Sequence, residues 1–467
     1  MRLPLRLLSI AAFLPALLPI CAFGPEVTKP APIPDIIVTN APVYAPLAAL
    51  KGGERFPKGA QLLLIHEGKA EPVLPSFAAS ADANISFDGQ RFLFSGKQAA
   101  GDPWQIWEFT LKDHSLRKLI AADGDAIRPF YLPAGRLVYA HRTPHGFQLE
   151  AAGKDNPNLL APIDPDAGKT VLPLTYLSAS AIPTDILKDG RILFESNFPL
   201  GTGTTPELFL VYSDGSGVES YRCDHGRARW GGRQLASGDV VFTHGASLAR
   251  FTSPLAHEAA ISSPRADFAG SVAELPSGAW LVSTRAASTA HFALEQWAPE
   301  STSLQPILAL PGQNLIDPVV IAPRPRPKRH PSGLHDWTYA NIMALDARQS
   351  REGDLKAAPA QVRLQTIDAQ GHPVGLGTAP VESDGSFFVQ TPADKPIRFA
   401  LLNQKGEVVR QERGWFWIRR GEQRICVGCH TGPERSSENH VPAVLLRTTT
   451  PVDLTGTKPQ ASTPGGN

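Results

Sequence analysis

Sulfur-containing side chains are scarce in this sequence, whose 467 positions hold four cysteines and two methionines. Cys21 lies near the amino terminus, Cys223 stands alone, and Cys426 and Cys429 share one short motif. This distribution is not that of a disulfide framework. The chain therefore depends on hydrophobic cores, and it is long enough for two or three domains.

An excess of charge of one sign is also lacking. The 45 lysine and arginine residues nearly balance the 44 acidic ones, giving a formal net charge of +1. No basic run is interleaved with aromatic residues, so nothing indicates a nucleic-acid partner. Beyond the amino terminus no stretch is apolar enough to span a membrane. The hydrophobic fraction of 42% is that of an ordinary globular protein.

The segment 1–24 has the pattern of a signal peptide. Arg2 and Arg6 precede an apolar run at 7–23, which is short for a membrane span but has the size of a signal-peptide core. We therefore expect a periplasmic or otherwise extracytoplasmic protein. The sequence LPIC ending at Cys21 loosely matches a lipobox. Cys21 is either removed with the signal, which we favour, or carries a lipid that anchors the protein to the outer or inner membrane.

Proline and glycine, in contrast, are abundant, with 44 and 40 residues, and they favour a turn-rich, mostly β protein. A proline-rich segment, 25–59, is predicted to be an extended leader. From 60 to 323 a unit recurs that consists of a short strand, a turn with glycine and an apolar strand. The turn glycines are Gly89, Gly135, Gly190, Gly238 and Gly278.

These glycines are 46, 55, 48 and 40 residues apart, which is the size of a four-stranded propeller blade. We therefore predict roughly six blades in a ring without exposed sheet edges; a β-sandwich with accidental spacing is the alternative. A basic, proline-rich linker follows at 324–340. It either contacts an anionic partner or is a stiff extended spacer, which we favour. Strand patterns at 341–450 predict a small β-sandwich-like domain, and the tail at 451–467 is predicted to be disordered.

The strongest functional signal is the sequence CVGCH at 426–430. In a C-x-x-C-H motif the two thiols add to the vinyl groups on one edge of a porphyrin, and the adjacent histidine reaches the iron. We therefore predict one covalent haem c, with Cys426 and Cys429 as its anchors and His430 as the proximal ligand. A two-cysteine metal or redox site is the competing interpretation. No βαβ pattern precedes the motif, and a second pair of metal ligands is missing.

The second axial ligand would decide the function. Methionine is almost excluded by counting, because Met1 leaves with the signal and Met343 has the surroundings of a core residue. His440 is the best candidate near the motif, and an open sixth position is the alternative. The aromatic residues Trp415, Phe416 and Trp417 either pack against the haem or belong to the ordinary core.

A second, weaker signal is the sequence CDH at 223–225. Cys223 is most simply a buried, inert thiol. Alternatively Cys223 and His225 bind zinc, although two ligands from one loop would need others from elsewhere in the chain.

Three short segments near the carboxyl end carry a family resemblance: VESDGSF at 381–387, RGW at 413–415 and the C-x-x-C-H motif itself. Together they resemble the haem-bearing middle domain of hydrazine synthase alpha subunits. The resemblance implies a six-bladed, TolB-like propeller, a β-sandwich-like middle domain and one haem c, with zinc nearby. This sequence has one C-x-x-C-H motif, and 431–439 lack the tyrosine that ligates iron in the synthases; Glu434 takes its place. We therefore expect a monohaem relative.

The function that follows is that of an exported monohaem cytochrome c, which passes electrons to a redox partner protein. One alternative is an oxidoreductase that acts on a small nitrogenous or oxygen-containing molecule at an open haem site. Another is a propeller binding module in which the haem is structural or sensory.

Overall fold

A computed structural model describes residues 33–156, 158, 162–177, 179–197, 205–222, 226–299, 301–350, 353, 355–428 and 439–456. The structure is almost entirely β. Among the described residues, no helix has the length and hydropathy needed to cross a bilayer.

The first part of the chain forms six four-stranded antiparallel sheets, the blades of a propeller. Blade 1 contains β1 (Ile36–Ala41), β2 (Gln61–His66) and β3 (Lys69–Pro72). Blade 2 contains β4 (Ala79–Ile85), β5 (Arg91–Lys97), β6 (Gln105–Thr110) and β7 (Leu116–Ile120). Blade 3 contains β8 (Ala126–Leu132), β9 (Arg136–Thr143), β10 (Gly146–Ala152) and β11 (Val171–Pro173). Blade 4 contains β12 (Ala181–Ile186), β13 (Ile192–Ser196), β14 (Glu207–Val211) and β15 (Glu219–Ser220). Blade 5 contains β16 (Arg229–Gln234), β17 (Val240–His244), β18 (Ser247–Phe251) and β19 (Ala259–Ala260). Blade 6 contains β20 (Asp267–Glu274), β21 (Trp280–Arg285), β22 (Ala293–Trp297) and β23 (Gln305–Leu308). Three short 3-10 segments lie between strands, at Ala49–Lys51, Pro133–Gly135 and Ala167–Lys169.

The ring is closed by β24 (Asn314–Val320), which pairs with β1 and becomes the innermost strand of blade 1. The predicted six-bladed propeller is therefore confirmed. The predicted leader at 25–59 is wrong in part, because β1 lies inside it. The prolines on both sides of β1 dominate that segment's composition, while Ile36, Ile37 and Val38 are the β-branched residues that form the strand.

All five predicted turn glycines have positive φ, from 71° at Gly89 to 100° at Gly238. These turns join the innermost strand of a blade to its neighbour. At Gly190, with φ of 91°, a Cβ atom would also overlap the carbonyl oxygen of Lys328, which belongs to the linker. Glycine is therefore needed there both for the backbone conformation and for the close approach of the linker.

The innermost strands bring charged side chains into the centre of the propeller. Asp82, Arg128 and Asp317 have φ between 51° and 60° and lie where β4, β8 and β24 shift register, so they stand in β-bulges. Arg55 enters from the loop after β1 and pairs with Asp82 and, at 2.6 Å, with Asp317. Arg55 and Asp317 are almost completely buried. Burial opposes ionisation of Asp317, but Arg55 and Arg128 overcome it and hold the pKa of Asp317 well below its usual range.

The remaining strands form a sandwich of two four-stranded sheets, which confirms the predicted small second domain. Its strands are β25 (Tyr339–Ala344), β26 (Gln361–Ile367), β27 (Pro373–Pro380), β28 (Phe387–Pro392), β29 (Ile397–Leu402), β30 (Val408–Gln411), β31 (Gln423–Cys426) and β32 (Val452–Asp453), and one helix, α1 (Ala443–Arg447), precedes β32. The sheet orders are β31-β25-β28-β32 and β27-β26-β29-β30. The tail predicted to be disordered at 451–467 is partly ordered, because β32 pairs with β28 and Leu454 is buried in the core of the sandwich.

The segment between β30 and β31 fixes the sandwich to the propeller. Trp417 is fully buried, and its indole Nε1 donates a 2.9 Å hydrogen bond to the carbonyl of Gly215 in blade 4. Arg419 is 1% exposed and donates to the carbonyl of Pro173 at 2.6 Å. Because buried polar groups are paired across this junction, the two domains meet in a defined arrangement.

Candidate functional site

The C-x-x-C-H motif begins in the sandwich, where Cys426 is the last residue of β31. β31 runs parallel to β25, with Cys426 opposite Ala344. The carbonyl of Cys426 accepts a 2.8 Å hydrogen bond from the amide of Leu345, so the backbone of the first cysteine is fixed by the sheet. Cys429 and His430 lie outside the described residues. The structure thus defines one half of the predicted attachment site.

Cys426 borders a cleft of about 180 Å³ where the sandwich meets the propeller. Most of the lining is apolar: Val218, Ala344, Phe387, Phe399, Phe416, Cys426 and Gly428. The polar side chains at the cleft are Glu412 and Arg424. Clefts of this kind, apolar with a few polar groups and placed between domains, are common sites for cofactors.

The thiol of Cys426 is held in this apolar surrounding. Burial raises its pKa above the usual value, and the positive charge of Arg424 acts in the opposite direction without overcoming it. A buried thiol that stays protonated is a poor nucleophile and a poor metal ligand.

Arg424 lies between the cleft and the propeller. Its guanidinium pairs with Glu422 at 2.8 Å and donates to the carbonyl of Val218 at 3.4 Å. Glu422 in turn accepts the amides of Gly217 and Arg419. Arg424 is thus positioned by both domains, with one side against the ring of Phe416.

The three aromatic residues before the motif have different roles. Phe416 lines the cleft, whereas Trp417 belongs to the core between the domains. Trp415 is half-buried and stacks under the guanidinium of Arg398, 4.4 Å from ring centre to Cζ. Trp417 therefore belongs to the ordinary core, and contact of Phe416 with a haem stays a prediction.

His440 lies at the same end of the sandwich as the motif. Asp346 donates its amide to the carbonyl of Val427, and the next residue, Ala347, donates to the carbonyl of Gly385. The neighbouring Asp384 holds His440, with 3.1 Å between Asp384 Oδ2 and the histidine Nε2. The histidine side chain is 40% exposed. The structure thus brings His440 into the region of the motif, with one of its ring nitrogens already engaged.

Asp384 is itself strongly anchored. It accepts hydrogen bonds from the Ser386 hydroxyl at 2.7 Å and from the amide of Ala443 at the start of α1, also at 2.7 Å. Burial would raise its pKa, but these hydrogen bonds and the one from His440 hold the pKa of Asp384 well below its usual range. Asp384 is therefore an ionised carboxylate that orients the histidine ring.

The predicted zinc ligands Cys223 and His225 lie outside the described residues. Among the residues that the structure does describe, no group of three or more histidine, cysteine or acidic side chains is arranged to hold a metal ion. Zinc at Cys223 and His225 stays a prediction.

Sequence reasoning missed the contribution of the propeller to the cleft. Val218 follows the Asp214–Gly215 turn of blade 4 and lines the cleft, and the carbonyl of Gly215 in this turn accepts the hydrogen bond from Trp417. No local pattern around Val218 indicates this contact. Phe387, by contrast, is the first residue of a strand in the segment 341–450, for which the sequence predicts strands.

Comparisons with known proteins agree with this architecture. Residues 341–431 match the family model of the hydrazine synthase alpha subunit middle domain. Hydrazine synthase subunit alpha of Kuenenia stuttgartiensis is 26% identical over 109 residues, which are 23% of this chain and 14% of that relative, so the match spans a small part of the relative's length.

Among solved structures, Kuenenia stuttgartiensis hydrazine synthase matches with a TM-score of 0.75 and 17% identity, over 89% of this chain and 71% of that chain. TolB from Acinetobacter baumannii matches with a TM-score of 0.41 and 12% identity, over 61% of this chain and 67% of its own. The first match shows a shared fold across both domains. Residues 341–431 are therefore similar to the middle domain of hydrazine synthase alpha subunits, and in this chain they follow a six-bladed propeller.

Proposed function

We propose that this protein is an exported c-type cytochrome whose single haem is attached through Cys426 and Cys429, with His430 as the proximal ligand. The observation that carries the proposal is the position of Cys426 at an apolar cleft between the two domains. The match of the family's middle domain ends at residue 431 and so includes the complete C-x-x-C-H motif. Such a motif needs an adjoining apolar space for the porphyrin, and the cleft lies where that space is required.

The residues around the cleft fit this cofactor. Phe387, Phe399 and Phe416 offer aromatic faces of the kind that pack against a macrocycle. Arg424 is the basic side chain at the cleft and suits a carboxylate such as a haem propionate. When bound, the haem supplies an iron that takes up and releases one electron.

The chain's own residues would set the conditions for that exchange. The three phenylalanines give the cleft an apolar lining, and an apolar surrounding alters the energy of a charged centre. Arg424 places a positive charge beside it, while Glu422 and the carbonyl of Val218 hold the guanidinium in place. The propeller thereby influences a site whose covalent anchors belong to the sandwich.

The signal sequence at 1–24 supports export to the periplasm, where covalent haem attachment takes place in bacteria. An electron carrier needs a redox partner protein, and we propose one outside the cytoplasm. Cys21 would keep the protein at a membrane if it is lipidated.

The test is the visible spectrum of the reduced protein, matured with haem outside the cytoplasm. We expect c-type absorption that stays with the polypeptide after denaturation. It should be lost in Cys426→Ser/Cys429→Ser and retained in Cys223→Ser, the matched control at an unrelated cysteine. Absence of haem from the parent protein would refute the proposal.

A second candidate is an oxidoreductase that acts on a small nitrogenous or oxygen-containing molecule at an open iron position. The hydrogen bond between His440 Nε2 and Asp384 favours it, because this nitrogen is not free to bind a metal. Carbon monoxide separates the candidates. A Soret band that shifts when the gas is added indicates an accessible iron. A band that shifts only in His440→Ala indicates that His440 fills the sixth position and supports the electron carrier.

A further inference from the structure

The basic linker after β24 lies across one end of the propeller. Arg324 donates to the carbonyl of Ile85 at 3.0 Å and to the side chain of Asn84 at 3.2 Å, both in blade 2. Four residues later, the amide of Lys328 donates to the carbonyl of Lys188 in blade 4. The linker is extended, as predicted, but it is bound to the propeller along its length instead of spanning open solvent.

Between the linker and the blades lies a cavity of about 540 Å³, which we call the mouth cavity. Its walls are the ends of innermost strands, the turns that follow them and the linker segment 323–327. The volume is within the range of small-molecule sites in proteins. It belongs to a different part of the fold from the cleft at Cys426.

The charged side chains of the mouth cavity are mostly basic: Lys188, Arg233, Arg324 and Arg326, against the acidic Asp185 and Glu274. Both carboxylates already accept hydrogen bonds from backbone amides. Asp185 accepts the amide of Gln234 at 2.8 Å, and Glu274 accepts the amide of Ala236 at 2.6 Å. Arg233 reaches Asp185 only at 3.5 Å. The cavity therefore has an excess of positive charge.

Two of the arginines have no acidic partner. Among the described residues, no carboxylate oxygen lies within 4.0 Å of a nitrogen of Arg324 or Arg326. Both guanidinium groups lie over the ring of Phe87, with Cζ 4.6 and 5.5 Å from the ring centre, and both residues line the mouth cavity. The Nε of Arg326 is buried without a hydrogen-bond partner in the described part of the chain.

Arg324 and Arg326 are partly buried, and their charges are not balanced by a carboxylate within 4.0 Å in the described part of the chain. Burial lowers the pKa of Arg324 to about 10; the negative charge of Asp185 opposes this shift without overcoming it, and the positive charge of Arg233 adds to it. A cation that is partly withdrawn from water is stabilised by an anionic partner. A ligand with two or more negative charges would supply the missing partner, and planar guanidinium groups bind phosphate and carboxylate oxygens in pairs.

We propose that the mouth cavity binds a small multivalent anion of the phosphate or carboxylate class, held by Arg324 and Arg326 of the linker and Arg233 of blade 5. Because the ligand contacts the linker and the blades together, it ties the linker to the propeller. Its binding therefore stabilises the folded protein according to its concentration relative to the dissociation constant.

The experiment is isothermal titration calorimetry of the full chain with inorganic pyrophosphate and, separately, citrate, at constant ionic strength. We expect saturable binding of at least one of the two anions. The anion with the lower dissociation constant shows whether the site prefers phosphate or carboxylate groups. Arg326→Gln should weaken it about tenfold, the loss expected for one charge-assisted hydrogen bond. Arg329→Gln is the matched control, because Arg329 belongs to the same linker but pairs with Asp155 at 3.0 Å. It should bind the anion as the parent does.

Arg324→Gln is a second variant with the same expected loss, but Arg324 also holds the linker through Ile85 and Asn84. Should that variant fail to fold, Arg326→Gln still decides the matter, since its contact within the protein is the ring of Phe87. The proposal is overturned if neither anion binds saturably, or if Arg326→Gln and Arg329→Gln bind equally well.

Discussion

The charged centre of the propeller gives the most demanding prediction. Replacing Arg55 by methionine keeps much of the side-chain volume but leaves Asp82 and Asp317 without their shared cation. The side chain of Arg55 is 4% exposed, and those of its partners are 6% and 8% exposed, so water cannot replace it. Removing one partner of a buried ion pair lowers the free energy of unfolding by about 3–5 kcal/mol. We expect the free energy of unfolding of Arg55→Met to fall by that amount at pH 7, measured by urea denaturation.

The pH dependence adds a second, independent check. In the parent protein the pKa of Asp317 is depressed, so its contribution to stability is complete above the unfolded value, about 3.9, and is lost as the pH falls through the folded value. Without Arg55 the ionised carboxylates of Asp82 and Asp317 destabilise the folded state, and protonation removes this destabilisation. The difference between Arg55→Met and the parent should therefore narrow as the pH is lowered from 7 toward 4.

The matched control is Lys169→Met, which breaks the pair between Lys169 and Asp166 at the surface. Both of its side chains are more than half exposed, and exposed ion pairs contribute little. The unfolding midpoint of this variant should stay within error of the parent. A loss in Arg55→Met no larger than in the control, or a difference that does not change with pH, would refute the reasoning.

Three further predictions concern other parts of the fold. Hydrogen bonds from His141 to Glu150 and Asp123 raise the pKa of this histidine in the folded protein. Its contribution to stability is therefore complete below pH about 6.5 and is lost as the pH rises through the folded pKa. The difference in unfolding free energy between the parent and His141→Gln, measured from pH 5.5 to 8.5, should shrink with rising pH. Trp417→Ala empties a fully buried site and should lower the unfolding free energy by about 3–5 kcal/mol in urea titrations; a loss below 1 kcal/mol would contradict the packing described. Gly190→Ala should lower the melting temperature more than Gly278→Ala, because both residues have positive φ but only Gly190 is in contact with the linker.

The propeller was predictable because its signal is local and repeated. Each turn glycine, such as Gly89, lies between two apolar strands that it joins directly, so the spacing of these glycines gives the size of a blade. Ring closure was not predictable in this way. The partner of β1 is β24, more than 270 residues later, and no short-range pattern encodes that pairing. The prolines around β1 then led to an assignment of this strand to a leader.

At the candidate site, too, the local features were predictable from the sequence and the long-range contacts were not. Cys426 was identified because the chemistry of a C-x-x-C-H motif is contained in five consecutive residues. The cleft beside it depends on Val218 and Phe399, which come from different domains and approach only after both have folded. Arg419 is a cationic side chain seven residues before Cys426, yet it is 1% exposed and holds the domain junction through Pro173. Sequence identifies a cationic side chain but not which buried carbonyl it will meet.

The pairing of β1 with β24 also has a consequence for biosynthesis. β1 is among the first segments of the ring to leave the ribosome, but its inner neighbour appears only after residues up to Val320 have been made. Until then blade 1 lacks one strand and exposes an edge on which another chain can add. The waiting time is fixed by the speed of translation, not by the affinity of the two strands. Slowing synthesis between blades 2 and 6 should therefore favour aggregation of nascent chains over closure, even when the finished protein is unchanged in stability.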